Sequence, residues 1–284
     1  MRGRALLATV LFLSAAVFFT FAQSRRSRMM DGSRSARDAA ESPPPEWTNA
    51  PGFEKDVFTF LRVKYTSARG ERGWRSRGGW ETDYSDSDLN LSFRLQQLTS
   101  LKTDPNGRIL ELTAAELSDY PWLYMAEPGN LWFEDEEVSI LRKYLLNGGF
   151  LMADDFWGED AWVNFEMQIK RVLPEREFVE LPLDHPIYHC VFEIKSKGQV
   201  PNMMLGHNSQ YDPERRTWEQ WDAQEVHHRA IFDEKGRLMV IATHNTDNGD
   251  GWEREGFSEY YFREFSEKIA YPLGINIIFY AMTH

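Results

Sequence analysis

The chain has 284 residues, 42% hydrophobic and 14% aromatic, enough for one large core or two small ones. Seven of the 32 Lys and Arg precede residue 38 against one of the 44 acids, which leaves 25 basic and 43 acidic residues and a net charge of −18 beyond it. Such a surface excludes nucleic acid as partner, because phosphate binding needs clustered positive charge, and suits a cation, a sugar or a basic protein. Cys190 is the single cysteine, so an internal disulfide and a four-cysteine zinc site are excluded too.

Arg2 and Arg4 precede an uncharged apolar run, Ala5 to Ala22, that ends Thr20-Phe21-Ala22. This reads as a signal peptide (residues 1–22) or an uncleaved single-span anchor, with the body outside the cytoplasm in either case. Residues 23–52 hold Arg25, Arg26, Arg28, Arg34 and Arg37 among Ser and Ala, then Pro43-Pro44-Pro45, without hydrophobic period. They are expected to form a disordered basic and Pro-rich linker, and any membrane contact falls on this N-terminal part. Residues 53–284 form the body.

Val57 to Tyr65 is β-branched and aromatic with partial alternation, a first strand, followed by a long Gly-, Arg- and Ser-rich loop over 66–83. Leu89, Phe93, Gln96-Gln97 and Leu101 make a helical pattern with Ser87 or Asp88 as its cap. Leu110 to Leu117 reads as a short interlude with Thr113 capping a turn, and Trp122 to Ala126 as a second strand ending at Glu127-Pro128-Gly129. Glu134 to Asn147 carries the 3.6 period and is closed by Gly148. Phe150 to Ala153 is then a buried strand running into Asp154-Asp155-Phe156-Trp157, and Ala161 to Leu173 a helix that stops at Pro174.

Beyond Glu175 the pattern turns to short pieces. Phe178 to Leu181 and Tyr188 to Ile194 read as strands, 196–224 as a polar loop, and Ala230–Phe232 with Leu238–Ala242 as a hairpin about Asp233 to Gly236. Tyr271 to Met282 is apolar on most sides and opens with Pro272, a buried closing helix. The order predicts an α/β fold: a flavodoxin-like three-layer sandwich with a mostly parallel sheet and a β-hairpin.

In such sheets ligands collect at the carboxyl ends of the strands. That edge would gather Glu127, the pair Asp154 and Asp155, and His244 with Asn245 if their strand runs parallel. Asp154, Asp155 and Glu127 are candidate oxygen ligands for a divalent cation; with His244 they are candidate acid–base groups. The commonplace alternative is that Asp154 caps a helix or pairs with Arg94. Asp83-x-x-Asp86-x-Asp88-x-Asn90 has calcium-loop letters without the inner Gly and distal Glu, so helix capping competes with ligation there. His185-x-x-x-His189-Cys190 has metal-like letters, but Pro186 and strand-like surroundings favour a structural role. Asn245 and Asp247 leave a strand into the Gly-rich Gly249-Asp250-Gly251, where backbone can approach a ligand or simply turn. Asp83, Tyr84, Asp88, Trp157, Asn245 and Asp247 complete the candidate ligand-binding set, Trp157 as one of many loop aromatics suited to sugar stacking or protein contact.

Several of these runs carry a resemblance. Thr82-Asp83-Tyr84, Asp88-Leu89-Asn90, Arg94 to Thr99, Leu146 to Phe150, Asp154-Asp155-Phe156, Leu183 to Ile187 and His244 to Asp247 are similar to the bacterial proteins grouped under the DUF4159 domain. The resemblance spans roughly residues 55–284. It implies a class I glutamine amidotransferase-like fold near the ThuA-like proteins, and neighbours of the AAA-type ATPase and von Willebrand A-domain kinds in an envelope assembly. True amidotransferases place a nucleophilic Cys on the turn after the central strand. Here that turn reads Ala153-Asp154-Asp155-Phe156, so glutaminase chemistry is not expected. The resulting expectation is an exported, non-catalytic binding or assembly module with an acidic crevice; the alternative is a carbohydrate-directed, metal-assisted hydrolase using Asp154, Asp155, Glu127 and His244.

Overall fold

The computed structural model describes residues 43–52, 56–67, 79–253 and 255–284. The signal or anchor segment, the linker up to residue 42 and the part of the first loop that holds Trp74 lie outside the described residues. No helix among the described residues is long and apolar enough to cross a membrane.

Alternation along the strands decides the layers. The elements in chain order are β1 (Leu61–Lys64), β2 (Thr66–Ser67), helix α1 (Asp86–Leu98), β3 (Arg108–Glu111), β4 (Trp122–Ala126), β5 (Leu131–Trp132), α2 (Asp135–Leu146), β6 (Phe150–Phe156) and α3 (Glu159–Val172). There follow β7 (Val179–Glu180), α4 (Met203–Ser209), β8 (His227–Phe232), β9 (Leu238–His244), α5 (Asn248–Glu253), α6 (Glu259–Tyr261), a π-helix (Phe262–Ala270) and α7 (Tyr271–Thr283). Seven strands form one sheet in the order β3-β1-β4-β6-β9-β8-β7, while β2 and β5 pair antiparallel at its carboxyl edge. The five strands from β3 to β9 are mutually parallel, and β8 reverses against both β9 and β7. This is the mostly parallel three-layer sandwich expected, hairpin included.

Trp122, Tyr124, Met152 and Ile241 face a layer made by α1, α5 and α7, whereas Leu123, Met125, Leu151 and Val240 face α2 and α3. Successive residues of a strand point to opposite faces, so central strands buried on both sides read as unbroken apolar runs. Helix α2 begins on a capping box, in which Glu134 accepts from the N3 backbone while Glu137 accepts from the Glu134 N–H. Gly148 follows its end at φ 110°, a left-handed position that glycine takes without strain.

Four local expectations change. Leu110 lies in the strand β3, whose four residues at the sheet edge are too short to show a period. Tyr188 closes a 3-10 turn, Pro186–Tyr188, and 188–194 adds no strand. The polar loop over 196–224 contains α4, capped by Asn202. Pro272 does not begin its helix: the chain is already helical from Glu259, and Tyr271 N–H donates five residues back to Ser266. Wide π turns ahead of a proline keep its ring clear of the preceding carbonyls, a clash a regular α-helix would suffer.

Arg62 and Asp88 make the buried ion pair that sets α1 on the sheet. The guanidinium, wholly buried, reaches Asp88 at 2.5 Å and also donates to Ser87 Oγ and the carbonyls of Trp80 and Thr82. Burial works against its charge, yet Asp88 holds the Arg62 pKa above its usual value. Asp88 is therefore spent on the scaffold. Asp88→Ala is expected to cost about 3–5 kcal/mol, because it strands an uncompensated buried cation; a urea midpoint that barely moves would refute this.

Candidate functional site

The carboxyl ends of β4, β6 and β9 meet the turn before α1, and the backbone there is unusual. Of five non-glycine residues with positive φ among the described residues, four lie at this edge: Asp83 (59°), Glu127 (45°), Asp155 (59°) and Asn245 (61°). Each such residue costs on the order of 1–3 kcal/mol and persists only where its surroundings enforce it. Glu127 precedes a proline, which ordinarily drives a residue to extended backbone. Tyr65 fixes it by donating to the carbonyls of Ala126 (2.7 Å) and Glu127 (2.8 Å), and the Glu127 N–H donates to Asp154 O.

Asp154 is the floor of the site. It is fully buried and accepts from Thr243 Oγ1, Asn248 Nδ2 (2.7 Å), Gly249 N (3.1 Å) and Tyr124 Oη (3.2 Å). Burial raises its pKa and these donors partly offset the rise. With four donors it ties β6 to β4, β9 and α5, and a structural role accounts for it. The pairing with Arg94 does not apply, since Arg94 pairs with Glu255, and the helix whose first turn Asp154 caps is α5 rather than the one that follows β6.

Asp155 accepts from Trp157 Nε1 at 3.2 Å, which accounts for Trp157 as a buried neighbour. Burial pushes the Asp155 carboxyl well above the usual carboxylate range, and Glu127, Asp83 and Asp154 push it further. Glu127 is raised to about 7 by burial, opposed by a hydrogen bond from Thr82. Asp247 is raised by burial, then by Asp155, Asp250 and Asp83. Asp83 is raised by burial, Asp250 and Glu253, with Arg62 pulling the other way. One carboxylate oxygen of each of Asp83, Asp247 and Asp250 lies within 4.8 Å of the other two. The strongest influences on Asp155 and Asp247 besides burial are other negative groups.

Other candidates go elsewhere. His244 follows Thr243 on its strand and so points to the opposite face. Its Nε2 bonds Gly158 O (3.0 Å), its Nδ1 meets Arg229 (3.2 Å), and its ring packs on Phe156 and Trp162. Burial and Arg229 lower its pKa to about 4, so it is neutral and engaged at both nitrogens. The expected meeting of His244 with Asp155 in one crevice is therefore corrected, although β9 does run parallel to β6. Asn245 accepts from Gly158 N and donates to Glu225 O, pinning two loops. The Tyr84 ring lies 5.8 Å from the Arg62 guanidinium. The calcium-like run disperses: Asp83 joins the carboxylate cluster, Asp88 takes Arg62, and Asn90 caps α5 through Trp252 O and Glu253 O. His185 packs between Phe232 and Tyr280, and His189 pairs with Glu193. An open cleft of about 700 Å³ lies beside Asn245, lined by Glu180, Lys197, Gln199 and Trp218, but the carboxylates do not line it.

Asp250, Glu253 and Glu219 were not singled out as site residues from the sequence. Asp247-x-x-Asp250 is i, i+3 spacing, and because α5 begins at Asn248 the two acids share one side, a signal hidden by reading the stretch as a Gly-rich loop. Glu219 sits at the rim, where Oε1 accepts from Asn202 N at 2.7 Å; nothing local in its polar loop foretold it.

The family described as Domain of unknown function (DUF4159) matches residues 59–282, and the chain belongs to it. Among curated proteins none matches the sequence.

A Glu127 pKa near 7 has a signed consequence. The folded protein binds the proton more tightly than the unfolded chain, so the contribution is complete below pH 4.5 and lost as pH rises through 7. Wild type should lose up to ~3 kcal/mol between pH 4.5 and 8 through this group, and Glu127→Gln should flatten that fall in a denaturation series; identical pH profiles would refute it.

Proposed function

We propose that this DUF4159 chain is an exported, non-catalytic binding or assembly module that holds its ligand by a positively charged group at the acidic crevice. The observation that carries the reading is the convergence of Asp83, Glu127 and Asp155, each on left-handed backbone, at one sheet edge. Strain and like-charge crowding both oppose folding, and proteins keep such arrangements where a ligand repays them. Cys190, the one thiol, rests against Asn276 O at 3.3 Å rather than in the crevice, and His244 is engaged on the other face.

The finer lineage is the class I glutamine amidotransferase-like, ThuA-like branch. Supporting it, β6 runs through a left-handed Asp155 into α3, the strand–turn–helix elbow on which those enzymes carry their cysteine. An aspartate there keeps the elbow and drops the thiol. Arg2, Arg4 and the apolar run behind them support export to the periplasm or the outer face of the inner membrane. The ligand class that fits an acidic, exported crevice is a basic segment of an envelope protein, in keeping with AAA-type ATPase and von Willebrand A-domain neighbours.

A second reading, the metal-assisted hydrolase, draws on Glu127. A carboxyl that titrates near 7 beside Asp155 is suited to proton transfer. Asp154 and His244 do not join that pair, so this reading rests on two of its four original residues.

Fluorescence anisotropy of a labelled Lys-rich decapeptide, in EDTA, tests the binding module. The Glu127→Gln/Asp155→Asn double variant should bind at least tenfold more weakly than wild type; equal affinities would reduce the attraction to general surface charge and sink the proposal. Turnover of chromogenic glycosides or esters that disappears in Glu127→Gln would instead establish the hydrolase. A phosphatase reporter fused to the C-terminus should be active only if the chain leaves the cytoplasm.

A further inference from the structure

We infer that Asp83, Asp247 and Asp250 form a binding site for one hard divalent cation of the calcium or magnesium class, an inference that rests on the crevice being where the ligand is held. The three side chains come from two separate parts of the chain, the turn ahead of α1 and the junction of β9 with α5. Hard cations sit roughly 2.0–2.6 Å from their oxygens, so two ligand oxygens on one ion are at most about 4–5 Å apart. The separation of 4.8 Å or less among these three carboxylates meets that requirement. All donors are oxygen, which selects against soft thiophilic metals.

A second observation points to the same ligand. Asp83 Oδ2 is enclosed by protein and has no hydrogen-bond donor among the described residues. Buried polar atoms are almost always satisfied, and a carboxylate oxygen without a donor is costly. This oxygen is aimed at the start of α5: a side chain at Gly249 would place its Cβ 2.3 Å from it. The missing side chain lets the carboxylate come down on helix backbone between Asp247 and Asp250. A cation bridging the three acids would give that oxygen the partner it lacks.

The ligands are also held before any ion arrives. The turn carrying Asp83 is tethered through the Trp80 and Thr82 carbonyls to Arg62. Asp247 is fixed on both sides, its N–H donating to Val200 O and its Oδ1 accepting from Asp250 N, each at 2.8 Å. Asp154 lies beneath with all its donors in place and is not a ligand. Glu127 and Asp155 are not among the three ligands, so the cation and the basic segment would take neighbouring parts of one acidic cluster.

The test uses the full purified chain, stripped with EDTA and titrated by calorimetry with CaCl2, MgCl2 and ZnCl2 in separate runs at pH 7.5, alongside thermal melts. Wild type should bind one equivalent of Ca2+ or Mg2+ and melt several degrees higher with it. Asp83→Asn and Asp247→Asn should each weaken binding at least tenfold, whereas Glu127→Gln should bind within a few-fold of wild type. Because each Asn substitution relieves like-charge repulsion, the ion-free variants should melt at or above wild type, which separates lost ligation from lost folding. No binding of either hard ion to wild type, equal binding by Asp83→Asn and Asp247→Asn, or tighter zinc binding that ignores both substitutions would each overturn the site. Peptide binding that needs Glu127 and Asp155, in a chain that takes up neither Ca2+ nor Mg2+ when these are supplied, would remove this inference alone; ion binding without peptide binding would remove the ligand reading and leave the metal site.

Discussion

Asp154 places a carboxylate in the middle of the sheet, where water cannot reach it and four protein donors must replace the hydration it has lost. Those donors come from β4, β9 and the first residues of α5. Strand tips that would otherwise diverge with the twist of the sheet are drawn to one point, and everything above them inherits that spacing. Asp155 is positioned because its neighbour is immovable. Asp247 and Asp250 are positioned because α5 starts against the same carboxylate.

Much of the fold was legible because central parallel strands are buried on both faces and announce themselves as short apolar runs ended by glycine or by acid. Trp122 to Ala126 and Phe150 to Ala153 are of that kind, and the amphipathic stripe of Trp162, Phe165, Ile169 and Val172 marks α3 equally well. Edge elements were harder. Arg108 to Glu111 is half covered and only four residues long, so its strand character comes from pairing with β1 and not from its own composition.

Site geometry was legible to the level of the sheet edge and no finer. The sequence indicates that Asp154 and Asp155 end a strand, yet the two buried neighbours have opposite fates, one satisfied by four protein donors and one crowded by Glu127 and Asp83. Parity along β9 separates Thr243 from His244 in the same way, and a histidine at the right strand end thereby faces the wrong layer. Left-handed backbone at Asp83, Glu127 and Asp155 has no reliable sequence signature, since aspartate and glutamate are placed there by surrounding structure. Glu219 enters from a loop whose path depends on long-range contacts such as Gln199 with Ala223 and Asn245.

Tyr124 links the two charged centres. Its ring face lies 5.0 Å from the Arg62 guanidinium, and its hydroxyl reaches Asp154. A cation above the ring and an anion at its tip both draw on one phenol, so the seating of α1 and the carboxylate beneath the acidic cluster share a mechanical connection through β4. Phenylalanine in that place would preserve the aromatic surface yet break the linkage, leaving helix and hollow to settle independently.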